Sequence, residues 1–193
     1  MPVPEPTLFV FMGLIASGKS TLAQAFGASQ GLPVYNSDVV RKKLAGVQAG
    51  QKSSARFSGG IYTPEFSRRT YQELLRLAAE EQDRGHSVIL DASYHKKEER
   101  QHVIDFCQAR KCGYLFILCQ ASEEETRRRL ALRSQDPQAV SDGSWDIYLQ
   151  QKERFQYPHE IDPAHFLEVA TDKPVNELLT LLVRSSKIPP FSS

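Results

Sequence analysis

Residues 8–26 read LFVFMGLIASGKSTLAQAF. Five large apolar residues, Leu8 to Met12, give way at once to a short glycine-containing segment and then to STLAQAF, which has helical character. An unbroken apolar run of that length fits a strand buried on both faces, the kind found in parallel sheets covered by helices. Gly13 to Ser20 match G-x-x-x-x-G-K-[ST] in full, between that strand and that helix, which is the context that makes the pattern a phosphate cradle. Gly13, Ala16, Ser17, Gly18, Lys19, Ser20 and Thr21 then line the cradle, with backbone N–H groups of the loop and of the helix N-terminus facing phosphate oxygens. Gly18 lets the backbone approach closely, Lys19 reaches the β and γ phosphates as a point charge, and Ser20 offers its hydroxyl to a magnesium ion. No G-x-G-x-x-G is present, which disfavours a dinucleotide fold.

Working outward, four more apolar runs follow: LPVYN (32–36), SVIL (87–90), YLFILC (114–119) and HFLEVA (165–170). They alternate with segments of helical period, so the expectation is one α/β domain over 1–193 with five buried strands and helices on both faces, its core spanning about 8–185 and a loose tail at 186–193. The segment 63–85 places Phe66, Tyr71, Leu74, Leu75 and Ala78 near one face and ends at Gly85, where a left-handed cap is unstrained. The segment 97–113 repeats that design and is expected to end at Gly113. Between 46 and 63 the chain is rich in Gly and Ser, without period, and reads as a mobile substrate-side loop.

With 193 residues, 40% hydrophobic and 24% charged, and a net charge of +1, the chain has no general attraction for nucleic acid or membrane. Cys107, Cys112 and Cys119 are odd in number and not spaced as a CxxC pair, which indicates neither a disulfide framework nor a zinc site. The start MPVPEPT lacks the features of a secretory signal and no apolar run approaches a membrane span, so a cytoplasmic protein is expected.

The remaining motifs concern what becomes of the phosphate. Asp38 stands at the end of the second strand with Arg41 one helical turn on, and a carboxylate there can take the proton of an attacking hydroxyl while the arginine orients an anionic acceptor. The competing reading makes Asp38 an N-cap of the following helix. Asp91, closing the third apolar run, is expected near the magnesium ion through water. In SEEETRRRLALRS, Glu123 with Arg127, Glu124 with Arg128 and Glu125 with Arg129 are i, i+4 pairs of a salt-bridged helix face. Arg133 lies four residues after Arg129, a like-charge spacing that an anion between them or Asp136 relieves, and the two arginines read as a phosphate-facing pair on a lid. His86, His95, His102, His159 and His165 show no metal-ligand spacing. Trp145 and Tyr148 read as helix packing, and TDKP (171–174) as a turn, with an adenine ring beside it as the functional alternative.

Residues 36–69 carry Arg41, Lys42, Lys43, Lys52, Arg56, Arg68 and Arg69 against Asp38 and Glu65, an imbalance that fits an anionic acceptor. A small metabolite is favoured over a polynucleotide 5′-hydroxyl end because no long basic stripe appears and Phe57, Tyr62 and Phe66 are the only nearby aromatics for stacking. A regulatory module that closes on nucleotide without transferring phosphate is the reading from another class.

GLIASGKST, YNSDVVRKKLAG, GHSVILDASYHKKEER and the arginines of TRRRLALRS, in this order over roughly residues 8 to 185, resemble the P-loop kinases that include the polynucleotide 5′-hydroxyl kinases and a related set of small-molecule kinases found alone or fused to aminoglycoside-phosphotransferase-like domains. That resemblance implies an adenylate-kinase-like core with strand order 2-3-1-4-5, an arginine-bearing lid, ATP and Mg2+ as cofactors, and a monomer or homodimer. It casts Lys19 and Ser20 as phosphate and magnesium residues, Asp38 as general base, Arg41 as acceptor-side partner, and Arg129 and Arg133 as lid arginines touching ATP. Two departures stand out. Ile15 and Ala16 replace a proline and a glycine frequent in such kinases, and a positive φ at 16 costs an alanine about 1 kcal/mol. Ser93 and Tyr94 replace the more usual threonine or asparagine and its neighbour after Asp91.

Overall fold

The first strand, β1 (Thr7–Met12), is buried along its whole length, and its alternating side chains build two separate cores. Leu8, Val10 and Met12 join a layer containing Leu74, Ala78 and Val103, while Phe9 and Phe11 join one containing Leu22, Phe26, Leu178 and Leu182. Phe9 meets Phe26 edge to face at 5.4 Å. The computed structural model describes residues 5–46, 61, 63–135, 144–185, 187 and 188.

Four further strands, β2 (Val34–Asn36), β3 (Val88–Asp91), β4 (Gly113–Gln120) and β5 (Phe166–Ala170), complete an all-parallel sheet in the order β2-β3-β1-β4-β5, as the resemblance implies. The helices are α1 (Lys19–Gln30), α2 (Ser37–Leu44), α3 (Pro64–Asp83), α4 (Lys97–Arg110), α5 (Glu123–Ser134), α6 (Trp145–Arg154) and α7 (Val175–Val183). The layer around Phe9 takes side chains from α1 and α7, and the layer around Leu8 takes them from α3 and α4. Register pairs Phe11 and Asn36 with Asp91, so β1, β2 and β3 finish together at one edge of the sheet. Ligands of open parallel sheets bind beyond that carboxyl edge.

Several boundaries differ from expectation for local reasons. β2 starts only at Val34, because Pro33 has no N–H to give the ladder. β5 starts at Phe166, since His165 belongs to a 3-10 turn (Pro163–His165) capped by Asp162. α3 stops at Asp83 and Gly85 does take a left-handed φ of 81°. α4 ends at Arg110 rather than Gly113: Lys111 adopts the left-handed position (φ 54°), and Gly113 opens β4 where a Cβ would come within 3.0 Å of Thr7 Oγ1. Most of the 46–63 segment lies outside the described residues, with Lys52, Arg56, Phe57 and Tyr62, as do Asp136 and most of the tail. Among the described residues, no helix is long and apolar enough to cross a membrane.

Candidate nucleotide and acceptor site

The loop after β1 is built on two glycines and one strained alanine. A Cβ on Gly13 (φ 142°) would lie 2.4 Å from Cys119 O and 2.8 Å from Ser17 Oγ, so only glycine fits; its N–H donates to Ser93 O at 3.2 Å. Gly18 (φ 82°) begins α1 with no side-chain cap, which leaves the first N–H groups of that helix without a side-chain acceptor and suited to an anion. Ala16 has φ 59°, the left-handed conformation that costs an L residue about 1 kcal/mol. Its methyl is buried against Leu130, Tyr148, Leu14, Ile15 and Trp145, a burial of similar size to the strain. Lys19 Nζ arches back to Leu14 O at 3.4 Å.

Two groups far away in sequence hold this loop. Thr171, buried at the end of β5, has its hydroxyl 2.6 Å from Ser17 O and 3.0 Å from Gln120 O. Arg129 Nη1 donates to Ala16 O at 3.1 Å and its Nη2 to Thr171 O at 2.5 Å. A Cβ on Gly18 would meet Arg129 Nη1 at 2.8 Å. Arg129 is therefore tied into the loop and the sheet. Arg133, one turn further along α5, lines a cleft of about 540 Å³ with Gly18, Thr21, Arg129 and the turn Thr171–Pro174.

The expected i, i+4 ladder on α5 forms at only one rung. Glu125 binds both Arg129 (2.7 Å) and Arg128 (2.6 Å), and these pairs hold its carboxyl at about 2. Glu123 turns instead to Lys152 on α6, and Arg127 lies over the Trp145 ring at 3.5 Å. Trp145 and Tyr148 stack at 4.7 Å, as helix packing predicts. Once α6 packs alongside, partners across the interface outcompete those on the same helix.

At the opposite side of the loop Asp91 is fully buried. Its Oδ2 accepts from Asn36 Nδ2 at 2.6 Å, while Oδ1 has no hydrogen-bond partner among the described residues. A buried carboxylate oxygen without a donor calls for a cation or its hydration water, which fits magnesium. No cluster of three His, Cys, Asp or Glu occurs among the described residues, so the phosphates would supply most ligands of such an ion, with Ser20 and Asp91 beside it.

Asn36, which sequence reasoning missed, also corrects the cap reading of Asp38. Its Oδ1 accepts the N–H groups of Asp38 (2.9 Å) and Val39 (3.1 Å), so Asn36 caps α2 and Asp38 sits inside the first turn, its carboxylate without a hydrogen-bond partner among the described residues. The strong N-cap preference of asparagine at a strand-to-helix junction is the signal that points to it. Arg41 is buried, and its Nη1 reaches Ile61 O (2.7 Å) and Ser67 Oγ (3.2 Å), joining α2 to the start of α3.

Beyond Asp91, Ser93 Oγ lies 3.1 Å from both Tyr71 Oη and His95 Nδ1, and Tyr94, buried, has φ 44°. Burial pushes the Tyr71 phenol up and His95 down, the latter helped by Lys96, Arg100 and Arg154, so this polar chain is held neutral at neutral pH. Arg100, fully buried, fixes the turn through Tyr94 O (2.9 Å) and Glu160 (2.6 Å). Tyr71, His95 and Gln151 join this region through tertiary contacts that no local pattern announces, Gln151 by accepting the N–H of Ile15 at 2.9 Å.

A family model described as an AAA domain, AAA_33, matches residues 8–158. No curated protein matches the sequence. Among solved structures, a gluconokinase from Sinorhizobium meliloti is similar at 18% identity and TM-score 0.63, covering 91% of this chain and 88% of that one. The Mycobacterium tuberculosis APS kinase CysC, in complex with AMPPNP and APS, is similar at 20% identity and TM-score 0.63, covering 93% and 96%. Kti12 from Chaetomium thermophilum, in complex with ADP-AlF3, is similar at 15% identity and TM-score 0.66, covering 92% and 97%. At such identities the likeness establishes the fold, that of P-loop kinases, and the family match, spanning most of the chain, goes further. With its loop, sheet order and matched segment in agreement, the chain belongs to the AAA_33 family of AAA domains.

Proposed function

We propose that this chain is a cytoplasmic, single-domain kinase that moves the γ-phosphate of Mg-ATP to a hydroxyl of a small anionic acceptor, working as a monomer or homodimer. The observation that carries the transfer step is the carboxylate of Asp38, which has no hydrogen-bond partner among the described residues: Asn36 does the capping, and Asp38 stands on the helix that leaves the sheet edge beside Asp91. Asp38 takes the proton as the acceptor oxygen bonds to the γ-phosphorus and the bond from that phosphorus to the β,γ-bridging oxygen breaks, releasing ADP. Lys19 neutralises the β and γ oxygens, Gly13 shapes the start of the loop through its bond to Ser93 O, and Ala16, Ser17, Gly18, Ser20 and Thr21 hold the phosphates by backbone N–H groups and hydroxyls. Arg129 keeps the loop in shape and Arg133 adds charge from the cleft wall. A bound magnesium ion, beside Ser20 and Asp91, supplies charge neutralisation to the phosphates. Arg41 anchors the acceptor-side segment, and the basic excess around it favours an anionic acceptor.

Transfer of labelled γ-phosphate from Mg-ATP tests this, in parallel on 5′-hydroxyl DNA and RNA oligonucleotides and on a pooled metabolite and aminoglycoside library, with Asp38→Asn as control. Label on a library member, lost in the variant while ATP binding persists, is the expected result. Label on oligonucleotide ends makes the acceptor a polynucleotide. ATP binding with no label on either set would replace the kinase by a regulatory module.

A further inference from the structure

We infer that α6 is the element that holds the phosphate loop in its nucleotide-binding shape, and that Gln151 is the positioning residue through which it acts; the inference rests on the nucleotide-binding reading above. Trp145, Tyr148 and Gln151 are spaced three apart on α6 and share one face. That face lies on the loop: Tyr148 and Trp145 pack with Ala16, Leu14 and Ile15, and Gln151 Oε1 accepts the N–H of Ile15 at 2.9 Å. A proline at this position would have no N–H to satisfy. Ile15 does have one, and Gln151 is its acceptor.

The second residue of the departure makes the clamp necessary. Ala16 sits in the left-handed region, and its preferred conformation would swing the following peptide groups away from their common focus. Gln151 on one side of Ala16 and the bond from Arg129 to Ala16 O on the other close off that relaxation. α6 is in turn fastened to α5 by the Lys152–Glu123 ion pair and by Arg127 over Trp145. Gln151 thus acts on nucleotide affinity through the loop, at a distance from any reacting atom.

Trp145 is the single tryptophan of the chain and reports from this helix. Mg-ATP is titrated by its fluorescence into wild type, Gln151→Ala, Ala16→Gly and the double variant. Losing one net hydrogen bond predicts an affinity about fivefold weaker in Gln151→Ala. With glycine at 16 the same substitution should cost under about twofold, because the strain it restrained is gone. Unchanged affinity in Gln151→Ala, or an equal loss in both backgrounds, overturns the inference. In turnover, KM for ATP should rise while kcat and the acceptor KM hold; a uniform fall in all three overturns it as well. Hydrogen exchange of the peptide over residues 13–21 in the nucleotide-free protein supplies an independent arm: faster exchange in Gln151→Ala supports the clamp and unaltered exchange refutes it. A wild type that binds no nucleotide would sink the kinase reading alone, and the exchange arm would still decide the clamp.

Discussion

Asn36 joins two functions in one amide: its nitrogen lies 2.6 Å from Asp91 Oδ2, and its oxygen caps the helix that carries Asp38. Replacing Asn36 by alanine removes a helix cap, worth about 1 kcal/mol, and a hydrogen bond to a buried carboxylate, worth about 1.5–3 kcal/mol. Urea unfolding should show a loss of about 2.5–4 kcal/mol. Phosphate transfer should fall more than ATP affinity, because the substitution loosens Asp38 and Asp91 and leaves the loop after β1 alone.

Acid should expose Glu125. Its carboxyl is held at about 2 against an ordinary 4.5, by Arg128 first and Arg129 as well. The sign follows from the depressed folded value: the contribution is fully present above about pH 4.5 and disappears as pH falls toward 2. Circular dichroism of Glu125→Gln across that window should give a flatter acid limb than wild type; parallel limbs would remove Glu125 as the cause.

Glu160→Ala should be among the most damaging substitutions outside the site. It strips the partner from Arg100, whose side chain is fully buried, and an uncompensated buried charge costs about 3–5 kcal/mol. Thermal unfolding checks this, and Arg100→Met in the same background should recover part of the loss.

Ala16→Gly should be nearly silent in stability. Relief of the left-handed strain gains about 1 kcal/mol and the lost buried methyl gives back about 0.8 kcal/mol, so the unfolding free energy should stay within about 0.5 kcal/mol of wild type.

Of the three thiols, Cys112 should react first. The neighbouring Cys107 thiol, with help from Gln82 (3.1 Å) and the charge of Arg110, pulls it below the usual thiol range, while burial pushes Cys119 up to about 12. Alkylation followed by peptide mapping at pH 7.5 should find Cys112 alone modified, with a rate that declines as pH drops below 7. Comparable labelling of Cys107 would contradict the assignment.

The fold was legible because β1 and the loop after it are local: five apolar residues and a spaced glycine-lysine pattern define strand, turn and helix without distant help. The positive φ of Ala16 was foreseen through the resemblance alone, from the glycine frequent at that position. The ladder on α5 was misread because Glu123 and Arg127 found partners on α6, which no helical spacing reveals. Asp38 read equally well as a base or as a helix cap, and only in three dimensions does Asn36 emerge as the residue that caps the helix. Lys111 rather than Gly113 ends α4 because the glycine was needed against Thr7, a contact from the far end of the chain.

The bond from Thr171 Oγ1 to Ser17 O spans 154 residues, and that from Gln151 to Ile15 spans 136. The loop is secured by side chains 136 and 154 residues further along the chain. During synthesis it cannot be locked until those residues have emerged. A nascent chain stopped short of Thr171 would carry the nucleotide motif intact in sequence but without the bond from Thr171 to Ser17 O.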